Sequence, residues 1–590
     1  HFSSRLDSIS CIKLLLDMLA ATAVLGLLTG VLGAELLFPT ERLASAGSHT
    51  LTVGPVAFDP TYGFQTRGFN SSLPGPTFRM NPGETLSITV TNGLDSANNV
   101  ACTDTPGEFC ESATTNLHTH GLHVSSKGVS DGLSANSDDI FVDIQPGSSA
   151  PYAFTIPSNH MPGTHWYHPH HHHATALQAG GGAAGVIIVD DPTGYLPAEY
   201  SSMPEKILFI SGHNLVTLQT MAVSASSGLL ETAATTAQNA NLDTNVVLVN
   251  GQLGPTMTLS SHTWHRLRMI FAAVEQQLDL SVTGDATCTL KLLAKDGIYL
   301  DPMPRDITRI VLFPGARSDV AISCTCATYP CSATLASGEG RRLQRRPGGG
   351  GAGPGAPGMG VVSVTALTLE ITENSGASVS TLPTVSLARP CYLVDLQSAT
   401  VPNGNTGNLA LNGGGRTVTW NGQGRSMTYA NTHADGGTMK SWPALTTFAV
   451  GSIYEVTVSG ANAHPLHIHV NPFQITSMPA ASYDDGYFQV GDWHDTLMVD
   501  DLGGGGTMNV RIQTDVFTGK AVIHCHILEH EDEGMMAYIS IAGNEGAIWS
   551  GATTIDSTCY SSSYSSNNVD TSSTSSNSAV TGTADGAITQ

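Results

Sequence analysis

Apolar and polar residues alternate with a period of two over much of the chain, beginning with Thr50-Leu51-Thr52-Val53 and Ser87-Ile88-Thr89-Val90-Thr91. A strand turns successive side chains to opposite faces, so this period predicts half-buried β-strands. Further strands are expected at Val186 to Val189, Lys206 to Ile210, Val246 to Val249, Arg266 to Ile270, Arg309 to Phe313 and Val361 to Ile371. Amphipathic helical patterns are scarce, and the expected fold class is all-β. The strands fall into three runs, read as domains over residues 47–195, 200–375 and 385–545, a division that 590 residues accommodate.

Three segments break the pattern. In residues 1–46, Arg5 and Lys13 precede an apolar run from Met18 to Ala34 that ends in small residues. That is the layout of a secretory signal, with cleavage after Gly33, Ala34 or Ala46; a retained signal-anchor in the membrane is the competing reading. Residues 341–360 carry four arginines and then a Gly/Pro-rich run, which reads as an exposed loop within the second domain. Residues 550–590 are rich in Ser, Thr and Asn and read as a disordered tail open to O-glycosylation.

Composition narrows the setting. Lys and Arg number 24 against 48 Asp and Glu, a net charge of −24, which disfavours nucleic acid as a partner and favours cations near the surface. Of ten cysteines, Cys11 lies in the leader and Cys525 in a histidine-rich motif. The remaining eight suit up to four disulfides, with Cys102 and Cys110 placed to close a short loop. Paired cysteines fit an oxidising compartment, so a secreted protein, or one anchored and facing outward, is expected. Asn70-Ser71-Ser72 is a glycosylation sequon.

The candidate chemistry lies in four segments with histidine at strand spacing: His118-Thr119-His120, His168-Pro169-His170, His467-Ile468-His469 and His524-Cys525-His526. Each H-x-H pair projects two imidazoles from one face. In the last pair, Cys525 turns to the opposite face, where His464, His530 and Met535 can join it. Two His, one Cys and a weak axial Met form the ligand set of an electron-transfer copper. Zinc is the chemical rival, but structural zinc sites usually draw on tightly spaced Cys/His ligands.

Other signatures accompany these pairs: Leu73-Pro74-Gly75-Pro76-Thr77, Val249-Asn250-Gly251-Gln252, Leu293-Ala294-Lys295-Asp296-Gly297, Pro314-Gly315-Ala316-Arg317-Ser318-Asp319 and Gly491-Asp492-Trp493-His494-Asp495-Thr496. Together they resemble the three-domain multicopper oxidases, the superfamily of laccases, metallo-oxidases and ascorbate oxidases. The run from His524 to Met536 is closest to bacterial-type members with an axial Met. The resemblance implies three cupredoxin-like Greek-key β-barrel domains and four copper ions. By motif position, type 1 copper takes His464, Cys525 and His530 with Met535 axial, and type 2 takes His118 and His467. One type 3 copper takes His120, His168 and His526, and the other His170, His469 and His524. His123, His165 and His171 to His173 fall outside the ligand positions and are expected to support ligands or to lie at the surface.

The resemblance further implies one-electron oxidation of a reducing substrate at type 1 copper, coupled to four-electron reduction of O2 to water at a trinuclear cluster. The expected donor is a phenol, an aromatic amine, or Fe(II), Mn(II) or Cu(I), acting on a monomeric chain. Glu531 and Asp131 stand where related enzymes place proton-relay carboxylates. Asp484 and Asp485 are loop acids that a cationic donor can use. Three departures from the family pattern stand out: Thr119 replaces Trp, Pro169 fills a spacer, and Val470-Asn471 replaces Gly-His. Two alternatives remain, an electron carrier using the type 1 site alone and a copper nitrite reductase-like protein.

Overall fold

The computed structural model describes residues 34–338 apart from 104 and 106, together with 361–374, 380–425, 427, 443–461, 463–479, 486–498 and 507–565. The leader before residue 34, the 341–360 stretch, Asp484, Asp485 and the tail beyond residue 565 lie outside the described residues.

Six sheets form among the described residues, two in each of the three strand runs. The first run gives a four-stranded and a five-stranded sheet, the second an eight- and a five-stranded sheet, and the third a seven- and a five-stranded sheet. The architecture is therefore all-β, as the alternation predicts. Thr85–Asn92 buries Leu86, Ile88, Val90 and Asn92 at every second position. His265–Ala273 is buried along its whole length, because it runs between Glu205–Asn214 and Arg317–Thr325 in the middle of its sheet. Each fully buried Leu, Ile or Val contributes roughly 1.5–3 kcal/mol of hydrophobic stabilisation, so these alternating faces hold the sheets together. One apolar core is continuous through the second and third runs, while the first has a core of its own around Leu51, Phe78, Ile88 and Ile187.

Register places the histidine pairs. His118–His120 lies antiparallel to Gly163–His168, with His118 opposite His168. Leu466–Ile468 lies antiparallel to Gly519–Cys525, with Leu466 opposite Cys525 and His467 opposite His524. Each ladder brings two of the four segments side by side.

Three sequence expectations need correction. The signal region does not extend to residue 46. Glu41–Leu43 pairs in parallel with Thr77–Met80, and Leu36 is buried against the core of the second run. Nor is the whole of 550–590 a tail: Cys559 is disulfide-bonded to Cys391, Tyr560 is buried, and the Tyr564 hydroxyl donates to the Gly194 carbonyl at 2.9 Å. Finally, helices Leu215–Ala225 and Ala233–Asn239 interrupt the second run. The first is N-capped by Asn214 and buries Leu215, Leu218, Met221, Ala222 and Ala225 on one face, a 3.6-residue periodicity that the strand pattern around it hides.

All eight remaining cysteines pair: 102–110, 288–324, 326–331 and 391–559. Cys525 is the one free cysteine among the described residues, and it is buried. The sequon residue Asn70 is engaged in the fold. Its amide nitrogen donates to the Thr50 carbonyl at 3.1 Å, and its oxygen accepts from Thr52 N at 2.8 Å.

Candidate metal centre

Strand alternation sends Cys525 to one side of its strand and its two neighbours to the other. On the front side, Cys525 Sγ lies 3.6 Å from His464 Nδ1 and 3.7 Å from His530 Nδ1, and the two nitrogens are 3.1 Å apart. A trigonal ion with bonds of about 2.0 Å to nitrogen and 2.3 Å to sulfur would set its sulfur and nitrogen about 3.7 Å apart. His464 arrives from the turn before Leu466–Ile468, and His530 from the short helix Leu528–Asp532. Met535 is fully buried behind them; its backbone N donates to His530 O at 2.9 Å and its carbonyl accepts from Cys525 N at 3.1 Å. Burial, with Arg416 nearby, lowers the pKa of His464 to about 4 and of His530 to about 2, so both rings are neutral lone-pair donors. Burial pushes the Cys525 thiol up, so thiolate there calls for a bound cation.

On the back side eight histidines converge, each at most 1% exposed. His170, His469 and His524 meet through Nε2, with His524 Nε2 at 3.2 Å from His170 and 3.3 Å from His469. Their Nδ1 atoms face outward: His524 toward the Cys525 carbonyl at 3.0 Å, His469 toward Asp138 at 3.3 Å and His170 toward Glu531 at 3.2 Å. With protons held at Nδ1, all three Nε2 atoms are lone pairs that repel unless a cation sits among them. Three nitrogens bound to one ion at about 2.0–2.1 Å in tetrahedral geometry stand about 3.3 Å apart.

The other five rings follow the same logic. His118 gives Nδ1 to Asp138 at 2.7 Å, His168 to the Pro169 carbonyl at 2.9 Å and His467 to the Asp495 carbonyl at 2.9 Å. His120 is turned the other way, its Nε2 resting 2.9 Å from Thr496 Oγ1 and 3.2 Å from Asp495 Oδ1. Left without a partner are His118 Nε2, His120 Nδ1, His168 Nε2, His467 Nε2 and both nitrogens of His526. Buried nitrogens are rarely left unpaired, and six unpartnered ring nitrogens around one centre fit a set of metal ligands. Burial, together with neighbouring imidazoles, holds the pKa of His120, His168, His170, His467 and His524 well below its ordinary value. All eight rings and the three front residues expected from the motifs are thus brought together.

The carboxylates divide differently. Glu531 is completely buried: Oε1 accepts from Thr175 Oγ1 at 2.9 Å, and Oε2 lies 3.4 Å from His524 Nδ1. Burial first, then Asp532 beside it, raises its pKa well above the carboxylate range. Asp131 is joined to no histidine by a hydrogen bond or ion pair among the described residues. It is exposed in the turn Val129–Asp131, where its carboxylate accepts from Gly128 N at 3.0 Å. The carboxylate between His118 and His469 is Asp138, seven residues further along. Thr119 N and Oγ1 donate to it at 2.9 and 3.2 Å, which gives Thr119 a role in place of the expected Trp. Burial alone would raise the Asp138 pKa, but His118 and His469 outweigh it and hold the group well below its usual range.

The second run supplies no ring to the cluster but braces it. Arg317 is fully buried; its Nη1 donates to Asp495 Oδ1 at 2.6 Å and its Nη2 to Asp495 Oδ2. Asp296, beside it, accepts from Arg317 N at 3.0 Å and holds His494 Nδ1 at 2.8 Å. Gly315 has φ +87°, and a Cβ there would come within 3.0 Å of both His120 and His526, so the cluster wall admits only glycine. The Pro314 to Asp319 and Gly491 to Thr496 motifs could have pointed to Arg317 and Asp495, had they been read as partners. Nothing local to Asp138 marks it. His123, His165 and His171 to His173, expected as ligand supports or surface residues, are all buried, His171 between Asp143 at 3.3 Å and Glu111 at 3.5 Å.

Comparison with known proteins bears on the family and the fold. Family models described as multicopper oxidase match residues 110–194 and 410–544. The multicopper oxidase mco of Staphylococcus haemolyticus strain JCSC1435 is 25% identical over 486 residues, spanning 81% of this chain and 84% of that protein. Bilirubin oxidase of Albifimbria verrucaria is 24% identical across 80% of this chain and 72% of its own length. Among solved structures, the Campylobacter jejuni multicopper oxidase, described as a metallo-oxidase, superposes with a TM-score of 0.58 at 20% identity, covering 87% of this chain and 96% of that one. The two family-model matches enclose all four histidine segments, and the chain belongs to the multicopper oxidase family of copper-binding oxidoreductases, which oxidise a reducing substrate with O2 as acceptor.

Proposed function

We propose that this oxidase carries four copper ions. His464, Cys525 and His530 with axial Met535 would hold a type 1 ion, and His118 and His467 a type 2 ion. His120, His168 and His526 would hold one type 3 ion, and His170, His469 and His524 the other. The observation that carries this reading is the set of ring nitrogens without partners on one face of the Cys525 strand and the Cys-His-His triangle on the other. Bound copper supplies the one-electron chemistry that removes electrons from a donor and reduces O2 to water.

The chain's own contribution is connection, insulation and proton supply. Cys525 is covalently continuous with His524 and His526, so the front ligand and two back ligands share one stretch of backbone. Asp138, Asp495 and the Pro169 and Cys525 carbonyls fix which ring nitrogen faces inward. Glu531 is the proton-holding group, with Oε2 free of any hydrogen-bond partner and Thr175 and Asp532 setting its position. Asp138 takes the second acid position in place of Asp131.

For the donor we favour small, easily oxidised species, an activated phenol, an aromatic amine, or Fe(II), Mn(II) or Cu(I). An axial thioether would hold the type 1 potential in a range suited to such donors. Four disulfides support a site of action outside the cytosol, as a monomer in solution or tethered by the leader. Copper analysis with electron paramagnetic resonance tests the assignment: four ions per chain with distinct type 1 and type 2 signals are expected. A single copper and no type 2 signal would instead indicate an electron carrier. Oxygen uptake with phenols, Fe(II), Mn(II) and Cu(I) in parallel identifies the donor class.

A further inference from the structure

On the strand Gln65–Phe69, one buried charge lacks an ion-pair partner among the described residues. It is Arg67, which is 1% exposed. Its Nη2 donates to the Ser227 carbonyl at 3.1 Å, while Nε and Nη1 have no hydrogen-bond partner among the described residues. Buried arginines elsewhere are treated differently: Arg266 and Arg268 share Asp319, and Arg317 is clasped by Asp495. A buried guanidinium cannot shed its proton and costs stability until an opposite charge reaches it. Burial pushes its pKa down to about 10, with the Glu231 carboxylate the one charge acting against that. Glu231 is itself occupied, accepting from Ser227 Oγ at 3.1 Å and from Gly228 N.

Beside Arg67 is a cavity of about 190 Å³, lined among others by Leu94, Asn98, Ala113, Gly228 and Leu229. Liquid water takes about 30 Å³ per molecule, so the space holds a small ion and its remaining hydration. The floor comes from the first strand run, and the lid from the turn 226–230 between the two helices of the second run. Gly228 at the mouth has φ +71°, and any Cβ there would strike the Asn98 side chain. Asp95 also lines the cavity, and its Oδ1 accepts from Ala97 N at 2.9 Å.

We propose that this cavity binds a small monovalent anion, a halide or a short carboxylate, against the Arg67 guanidinium, pinning the helical pair to the first domain. The unpaired guanidinium and the cavity it borders carry the assignment together. Neither depends on the copper sites.

The test uses the copper-loaded full chain in thermal unfolding, titrated with sodium chloride, sodium bromide or sodium acetate against sodium sulfate at equal ionic strength. The wild type should show a saturable rise in melting temperature with chloride, bromide or acetate. Arg67→Met, similar in bulk but uncharged, should lack it, and Arg67→Lys should need at least tenfold more anion. Binding of the same anions at copper is common to all three proteins and cancels in the difference. Crystals of the wild type soaked in bromide give a readout that does not depend on any variant's folding. An anomalous peak beside Arg67 supports the site. Ordered water alone there, or an identical anion response in Arg67→Met, overturns it.

Discussion

Cys525 and its two neighbours belong to pockets built on opposite plans. On the front, His464 and His530 keep 9% and 8% of their surface exposed, and the charge acting on both rings is Arg416, which is ion-paired with Glu533. On the back, eight rings are at most 1% exposed and are backed by Asp138, Glu531 and Asp495, with Arg317 behind. An electron can enter through a ring edge and travel along bonds, so the front needs a partly open ligand and no acid. Reduction of O2 consumes protons as well as electrons, and the back has in Glu531 a fully buried carboxyl whose raised pKa lets it hold one. The contrast lies in the surrounding groups more than in the ligands.

The sharpest way to break the comparison is Cys525→Ser. It should abolish the blue absorption and turnover while leaving the back histidines loaded; a variant that stays blue removes Cys525 from the front site. Next in size is Glu531→Gln, which keeps the shape and removes the titrating group. Loss of a positioned proton donor costs roughly 100-fold or more. Reoxidation by O2 should slow by that order in stopped flow, while reduction of the front site by the donor keeps its rate. If both halves of the reaction are untouched, Glu531 carries no proton.

Two acids near the first histidine pair sharpen the back half. Asp138→Asn should cost about 10–100-fold in activity or in copper retention, the usual scale for a group orienting metal-bound histidines. Asp131→Asn should do neither, since its carboxylate caps a surface turn. Equal losses in both variants would return Asp131 to the site. Arg317→Lys should have a smaller effect, broadening the type 2 resonance signal and lowering turnover by about tenfold, because a lysine cannot hold both oxygens of Asp495. An unchanged signal would reduce Arg317 to a packing role.

These pairs also show what was legible in the sequence. The ring and thiolate positions could be read because strand alternation is a local rule, and H-x-H or H-C-H obeys it whatever the fold around it. The three strand runs were visible for the same reason. Asp138 was not, because what selects it over Asp131 is the path of the loop after His120, which no periodicity encodes. Arg317 and Asp495 lie 178 residues apart, and only the docking of two domains makes them partners. The helices at 215–225 and 233–239 draw no reading from the sequence, because a short apolar stripe is a weak signal beside the strand alternation around it.

The mildest test concerns the depth of the front site. Met535 is fully buried, and its backbone is tied to both His530 and Cys525, so its side chain has little freedom to leave. Met535→Leu nearly conserves volume and should cost less than about 1.5 kcal/mol in stability. Removing a weak axial ligand destabilises oxidised copper more than reduced copper, so the type 1 potential should rise. A redox titration followed at the blue band measures it, with the copper count and the type 2 signal serving as controls. A raised potential favours acceptance of electrons from the donor but weakens the drive to pass them on, so donors that are hard to oxidise should gain and O2 reduction should slow modestly. An unchanged potential would take Met535 out of the axial position and leave it as packing, confining the front site to the triangle of His464, Cys525 and His530.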